Sequence, residues 1–232
     1  LDIGSNDGTF LSFFNHKIKK TGIDPTAKKF SEYYQKNITI IANLFTKDSI
    51  KTFKNDKITI HNEILQRFAK PYEKRSWTDY RKLFVTKSRI TKGQDFYKKN
   101  EKMLLKVGKQ TMVDPFLILS IVGVESNYGR HQGSYTVFNA LYTQIAKMPK
   151  RAKWAKKEMV EYLLYCYKDS IPPHSILGSY AGAFGYGQFI PSSFNAYAID
   201  GNNDGIRRPY DWPDVFASIG NYLIKNGYPI NN

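Results

Sequence analysis

One carboxylate, Glu125, closes an apolar run that opens at Asp114 and Pro115 and continues from Phe116 to Val124. A carboxyl group held against apolar neighbours has its charged form disfavoured, so its pKa rises and it can donate a proton near neutral pH. The plain alternative is a glutamate at a fraying helix end, facing water or pairing with Arg130. A second set of polar groups, Ser179 and Gln188, lies among aromatics and glycines between Gly178 and Phe194. Sugars present apolar ring faces edged by hydroxyls, so these residues make a chemically sensible carbohydrate cleft. The glycines alone fit a tight turn between packed helices equally well. A third set, Asp200, Asn202 and Asp204, puts oxygen ligands at the first, third and fifth places of a loop, with Gly205 for the bend and the Ile206 carbonyl next. Asp211 stands where a calcium loop carries glutamate, and Asp214 adds a carboxylate shortly after. Calcium as a structural ion is the expectation here, with sodium or a plain Asx-rich turn as alternatives.

These groups need elements to hold them. Asp114 can cap a helix whose first position suits Pro115, because proline lacks the N–H that would be orphaned there. The run is apolar nearly all round, so it reads as a helix buried inside a domain, and it is too short to cross a membrane. Gly129 is the expected C-cap. Before it, apolar residues at Ile90, Phe96, Met103, Leu104 and Val107 recur among lysines and predict an amphipathic helix over about 86–110. A shorter helix is expected over 62–74, ending near Pro71. Beyond the centre, a helix is predicted over 153–167, with Pro149 read as turn and the basic stretch 147–157 as a solvated face. Pro191 opens another helix, and one over 213–225 closes the chain.

The chain has 232 residues and a formal net charge of +15. That balance suits a polyanionic partner, an anionic cell-wall polymer included, but lysines spread over the whole chain are also a compositional habit with solvated side chains as their only consequence. No zinc-finger or RNP-like motif accompanies them, and nucleic acid is not expected as a partner. A single cysteine, Cys166, excludes a disulfide framework and reads as a buried small hydrophobe. Four scattered histidines show no metal-ligand spacing. No cleavable signal peptide stands at the beginning of the sequence.

The first residues follow another pattern. Leu1 to Phe10 reads as strand, glycine-bearing turn and the start of a helix running to about Lys20, and Gly22-Ile-Asp-Pro25 as a second strand. Gly4, Asn6 and Gly8 would allow backbone approach to a ligand, and Asp24 stands where a ribose hydroxyl would be gripped. This combination resembles the opening motifs of S-adenosylmethionine-dependent methyltransferases, with Asn6 in place of the usual middle glycine. The resemblance covers only residues 1–45. It implies a partial α/β, Rossmann-like fragment with a vestigial cofactor site, and binding of S-adenosylmethionine is not expected. A junction is placed over 46–57.

Residues 58–228 resemble the lytic murein transglycosylase B family, through the motif Gly-Val-Glu-Ser-Asn-Tyr-Gly129, the glycine-aromatic stretch from Gly178 to Ser193 and the Asp200 loop, in family order. The resemblance implies a mainly α, lysozyme-like catalytic domain over 58–232, C-terminally truncated, with an EF-hand-like calcium loop. It implies cleavage of the β-1,4 bond between N-acetylmuramic acid and N-acetylglucosamine with 1,6-anhydromuramic acid formed, no cofactor for catalysis, and Glu125 as the single acid and base. Tyr80, Tyr128, Ser179, Tyr186 and Gln188 are implied to line the groove for peptidoglycan glycan strands. The implied location is the periplasm or cell envelope, with peripheral association to the envelope. A cell-wall-binding protein that no longer cuts is the competing reading, and a methyltransferase the competing reading for the first residues.

Overall fold

The computed structural model describes residues 1–44, 58–69 and 76–228. The chain divides into two compact units, Leu1–Lys57 and Ile58–Asn232. Among the described residues no single helix is long and apolar enough to cross a membrane.

The first unit carries three parallel strands, β1 (Asp2–Ile3), β2 (Lys20–Ile23) and β3 (Ile38–Ile41), in that spatial order. Asp2 stands opposite Gly22 and Lys20 opposite Ile38. The sheet therefore has one strand more than the expected two. The helix after β1 is α1 (Thr9–Ser12), far shorter than a run to Lys20. Asn15 explains the early stop, because its side chain accepts the Lys17 N–H at 2.9 Å and its carbonyl accepts the Ile18 N–H, offering the backbone a turn instead of a helix. The structure does bring Asn6 and Asp24 together, the Asn6 N–H donating to the Asp24 carboxylate at 3.2 Å. Gly4 and Gly8 both have positive φ, 78° and 77°. The close approach that Gly8 permits, however, is to a protein ring: a Cβ there would meet Tyr34 at 2.5 Å. The Tyr34 hydroxyl also donates to the Asn6 carbonyl at 2.9 Å. Tyr34 thus packs against Gly8, while a Cβ on Gly4 would meet no atom within 4 Å.

The second unit is mainly helical. In order come α2 (Glu63–Ala69), α3 (Trp77–Phe84), α4 (Lys87–Thr111), α5 (Pro115–Ser126), β4 (Tyr135–Thr136), α6 (Val137–Lys147), α7 (Pro149–Lys168), β5 (Leu177–Gly178), α8 (Pro191–Tyr197) and α9 (Trp212–Lys225). Helix α5 begins as its sequence dictates, with the Asp114 carboxylate accepting the Phe116 N–H at 2.8 Å and Pro115 at the first position. Such a cap is worth about 1 kcal/mol. Its burial is one-sided: Ile118, Leu119 and Val122 are buried, whereas Phe116 and Val124 are exposed. The predicted end of α2 near Pro71 lies outside the described residues. Helix α7 starts at Pro149, not near Lys153, because proline is as well suited to a first helical position as to a turn.

Two large apolar clusters make most of the core of this unit, beside a smaller one of Ile64, Tyr135 and Ala140. One gathers Leu104, Val107, Ile118, Val122, Val215, Phe216 and Ile219 from α4, α5 and α9. The other gathers Val137, Leu141, Met159, Tyr162, Tyr165, Phe184 and Phe194, with Cys166 buried among them. Phe189 packs against both, so the seam between the clusters passes its ring.

Candidate active site

Glu125 lies in the last turn of α5, one turn after Ile121, and both side chains line a cavity of about 400 Å³. Gly187, Gln188, Phe189 and Ile190 form a further wall, with Ser193 of α8 and with Ile219 and Tyr222 of α9 beyond them. As a whole residue Glu125 is exposed, as a group that meets a polymer must be, yet burial of its carboxyl pushes its pKa up. Among the described residues no hydrogen bond or ion pair reaches that carboxyl, Arg130 included. Among the described residues the cavity wall contains no second acid. A protonated Glu125 can donate to a bound oxygen and, once ionised, take a proton back.

The backbone after Glu125 turns sharply. Asn127 and Tyr128 are both left-handed, with φ of 49° and 60°, and Gly129 follows at 80°. The C-cap is Asn127, not Gly129 as expected, since asparagine also tolerates this region. The turn sends Tyr128 away from the cavity. Its ring wedges between α4 and α5, where only glycine fits on either side: Cβ atoms on Gly93 or Gly123 would run into its hydroxyl. Phe96 packs on the same ring at 5.4 Å.

Of the groove residues anticipated from the sequence, the structure brings Gln188 to Glu125. Gln188 holds a left-handed backbone, φ 48°, and its side-chain amide donates to the Gly185 carbonyl at 2.9 Å. A strained non-glycine residue beside a candidate catalytic group is where such strain tends to be retained. Ser179 spends its hydroxyl on a local turn, accepting the N–H groups of Ala181 and Ala183 at 3.3 and 3.1 Å. Tyr186 stacks on Trp212 at 4.3 Å and Tyr80 packs between Trp77 and Phe84 of its own helix. Neither Ser179, Tyr186, Tyr80 nor Tyr128 is among the residues lining the Glu125 cavity.

Sequence reasoning missed the residues that hold the cavity wall. Glu158 of α7 is 2% exposed, and its two oxygens accept the N–H and the hydroxyl of Ser192, each at 2.9 Å, fixing the first turn of α8 next to Ser193. Asn195 is held likewise by Glu161. In the basic stretch read as solvated, Arg151 is half-buried: it donates to Gln144 at 3.0 Å and lies over the rings of Phe68 and Trp154. Nothing local in the sequence identifies Ser192, 34 positions away, as the partner of Glu158.

In the Asp200 loop the carboxylates are taken up locally. Asp200 accepts the N–H groups of Asp204 and Gly205, Asp204 accepts that of Ile206, and Arg208 pairs with Asp204. The Asn202 amide reaches both Asp204 and Asp211, and Asp214, buried, accepts the N–H groups of Gly201 and Arg208. Among the described residues no three His, Cys, Asp or Glu side chains converge on one point as metal ligands. The donor set is nonetheless one of hard oxygens on a tight turn, and a guanidinium sits against it where positive charge is called for; the residues fit a hard cation.

A helical unit with a lone carboxyl at the end of a core helix, set in an apolar cleft between two clusters, has the lysozyme-like architecture of glycan-cleaving domains. The chain belongs to the Transglycosylase SLT domain family, whose model matches residues 29–231. It is 35% identical over 153 residues to membrane-bound lytic murein transglycosylase B of Escherichia coli, an alignment covering 66% of this chain and 42% of that protein. Its structure is similar to that of the soluble lytic transglycosylase SltB1 from Pseudomonas aeruginosa, with a TM-score of 0.73 and 36% identity over 81% of this chain and 64% of that one. It is also similar to the Escherichia coli lytic transglycosylase Slt35 solved in complex with calcium, with a TM-score of 0.72 and 26% identity over 94% and 69% of the two chains. The chain thus spans less than half the length of the curated relative. The family match begins at residue 29, inside the stretch that resembled a methyltransferase.

Proposed function

We propose that the chain is a peptidoglycan lytic transglycosylase in which Glu125 alone serves as acid and base. The observation that carries this reading is the wall of the Glu125 cavity, which among the described residues holds one carboxyl group, its pKa raised by burial, and no second acid. A conventional glycosidase places two carboxyl groups across the scissile bond, about 5–9.5 Å apart. With one, the substrate itself must supply the group that stabilises the anomeric carbon. Glu125 protonates the oxygen bridging N-acetylmuramic acid to N-acetylglucosamine, and the C1–O bond breaks as the 2-acetamido carbonyl oxygen closes on C1. Glu125, now ionised, takes the proton of the C6 hydroxyl while that oxygen attacks C1 and the acetamido oxygen leaves. The product is the 1,6-anhydro sugar, and Glu125 is protonated again.

Gln188, through its position beside Glu125, orients the sugar that carries the acetamido group. Ser179, Tyr80, Tyr128 and Tyr186 are proposed to act on the groove at longer range, the two last through the packing of Gly93, Gly123 and Trp212. In the Asp200 loop, the side chains of Asp200, Asn202, Asp204, Asp211 and Asp214 and the Ile206 carbonyl would hold calcium, which would supply a structural cross-link to α9. Glycan strands are the polymer bound and the cell envelope the place of action, in keeping with the murein named for the Escherichia coli relative. No S-adenosylmethionine is assigned to residues 1–45, where Tyr34 packs against Gly8.

The test is to incubate the purified chain and Glu125→Gln with peptidoglycan and to analyse the soluble fragments by mass spectrometry. Anhydromuropeptides from the parent and none from the variant are expected. Reducing muramic acid ends would instead make the protein a hydrolase, and glycan binding without any product would favour a protein that binds the cell wall and does not cut.

A further inference from the structure

A cavity of about 800 Å³ in the second unit shares no described lining residue with the one around Glu125. Its size falls within the range that holds small ligands. Four charged residues line it, Asp169, Arg207, Arg208 and Asp211; Arg208 is paired with Asp204 and Asp211 accepts the Asn202 amide, which leaves Asp169 and Arg207 as the two opposite charges without a charged or side-chain partner. Asp169 caps the C-terminus of α7, where the helix already presents partial negative charge, and its Oδ2 is shielded from solvent without a hydrogen-bond partner. Arg207 makes one long hydrogen bond, 3.5 Å to the Asn195 carbonyl. No ion pair joins the two, although both bear on the ring of Tyr165: burial raises that phenol's pKa first, Asp169 adds to the rise and Arg207 opposes it.

A carboxylate and a guanidinium that share a cavity and leave each other unpaired ask for a ligand with both complements. An anion alone would satisfy Arg207 and repel Asp169, and a cation alone would do the reverse. Between them the wall offers Ser175, whose hydroxyl donates to the Pro172 carbonyl and keeps its acceptor side free, and Gln132 stands exposed at the edge. The apolar faces of Tyr165 and Tyr210 complete the wall. Amide groups and short aliphatic side chains suit such a surface.

We propose that this cavity binds a short peptide with free ends, its ammonium at Asp169 and the end of α7 and its carboxylate at Arg207. The site is independent of glycan cleavage, since none of its residues belongs to the Glu125 cavity.

Calorimetric titration of the full chain with trialanine, N-acetyl-trialanine, trialanine amide and inorganic phosphate tests it. Saturable one-to-one binding of trialanine is expected, weakened about tenfold or more when either end is blocked. Asp169→Asn should bind the free and N-acetylated forms alike, and Arg207→Met the free and amidated forms alike. Glu125→Gln should bind trialanine as the parent does. Equal binding of free and blocked peptides, absence of binding, or binding of phosphate with none of trialanine would overturn the proposal, and each of these is read on the unaltered protein, so no variant need fold.

Discussion

Glu158 governs the wall that faces Glu125, and its removal has a size that follows from its contacts. Both oxygens of this carboxylate, 2% exposed, are engaged by Ser192 at 2.9 Å. Hydrogen bonds to charged groups contribute about 1.5–3 kcal/mol each, and a buried donor left without a partner costs about 1–3 kcal/mol. In Glu158→Ala the Ser192 N–H loses its acceptor and a gap opens beneath α8, so we expect a loss of about 3–5 kcal/mol. Glu158→Gln keeps the shape: its oxygen accepts the N–H, and its amide donates to the hydroxyl, which turns to accept. Only the charge assistance goes, about 1–2 kcal/mol. For a unit of this size each kcal/mol lowers Tm by about 2–4 °C, giving drops of about 6–20 °C for Ala and 2–8 °C for Gln. Scanning calorimetry at neutral pH reads both. Release of glycan fragments by the folded protein at 25 °C gives a second readout, because a shift of about 1 Å in a positioned wall can cost about a hundredfold in rate. Should Glu158→Ala melt within about 1 kcal/mol of the parent, or the two variants melt together, the carboxylate is not the anchor inferred here.

Three further outcomes follow. Glu125→Gln should raise stability at neutral pH and not in acid: burial raises the folded pKa of this carboxyl, so below the unfolded value, about 4.3, both states are neutral and the substitution changes little, while above it the folded protein bears the cost of the ionised form. Melting curves from pH 3 to 8 that show a constant difference, or a lower Tm for the variant at neutral pH, would contradict a desolvated carboxyl. Gly123→Ala should lose about 1–3 kcal/mol in urea unfolding, because its Cβ would stand 2.7 Å from the Tyr128 hydroxyl and 2.8 Å from the ring carbon bearing it; an unchanged midpoint would mean that the ring moves freely. If calcium occupies the Asp200 loop, saturating it at about a hundred times its Kd adds about 2.7 kcal/mol and chelator removes that gain. Arg208→Ala should then bind the ion more tightly by removing the cation that pairs with Asp204; a Tm indifferent to both calcium and chelator would leave the loop a hydrogen-bonded turn.

What was legible in the sequence was what neighbouring residues decide among themselves. Asp114 and Pro115 start α5 because cap and first position are adjacent in the chain, and Glu125 stands at its end because an apolar run of that length makes about three turns. The helices α4, α7 and α9 followed from periodicity in the same way. The misplaced elements turn on residues with two local uses. Pro149 suits a turn and a helix start alike, and Asn127 can do at a C-cap what was expected of Gly129. What stayed hidden depends on residues distant in sequence: the two-residue ladder of β4 and β5, the Glu158 to Ser192 anchor across 34 positions, and the tyrosines. Tyr34 and Tyr128 have rings of a kind that binds ligands as well as packs cores, and only the neighbouring glycines, Gly8, Gly93 and Gly123, decide for packing.

The position of Glu125 joins these levels. A carboxyl group could be desolvated more thoroughly inside either apolar cluster, but no polymer would reach it there. At the surface it would be reached and would ionise at its ordinary pKa. The seam at Phe189, which packs against both clusters, offers the intermediate condition: Ile121 and Ile219 limit hydration while the cavity stays open beside Gln188 and Tyr222. Keeping that seam open requires its walls to be held from behind, and the group that holds α8 is a polar one buried away from the cleft, Glu158. An apolar residue in place of Glu158 could fill volume, but it would leave the Ser192 N–H unpaired and the first turn of α8 free to tilt. The buried acid outside the cleft is therefore a condition for the single acid within it.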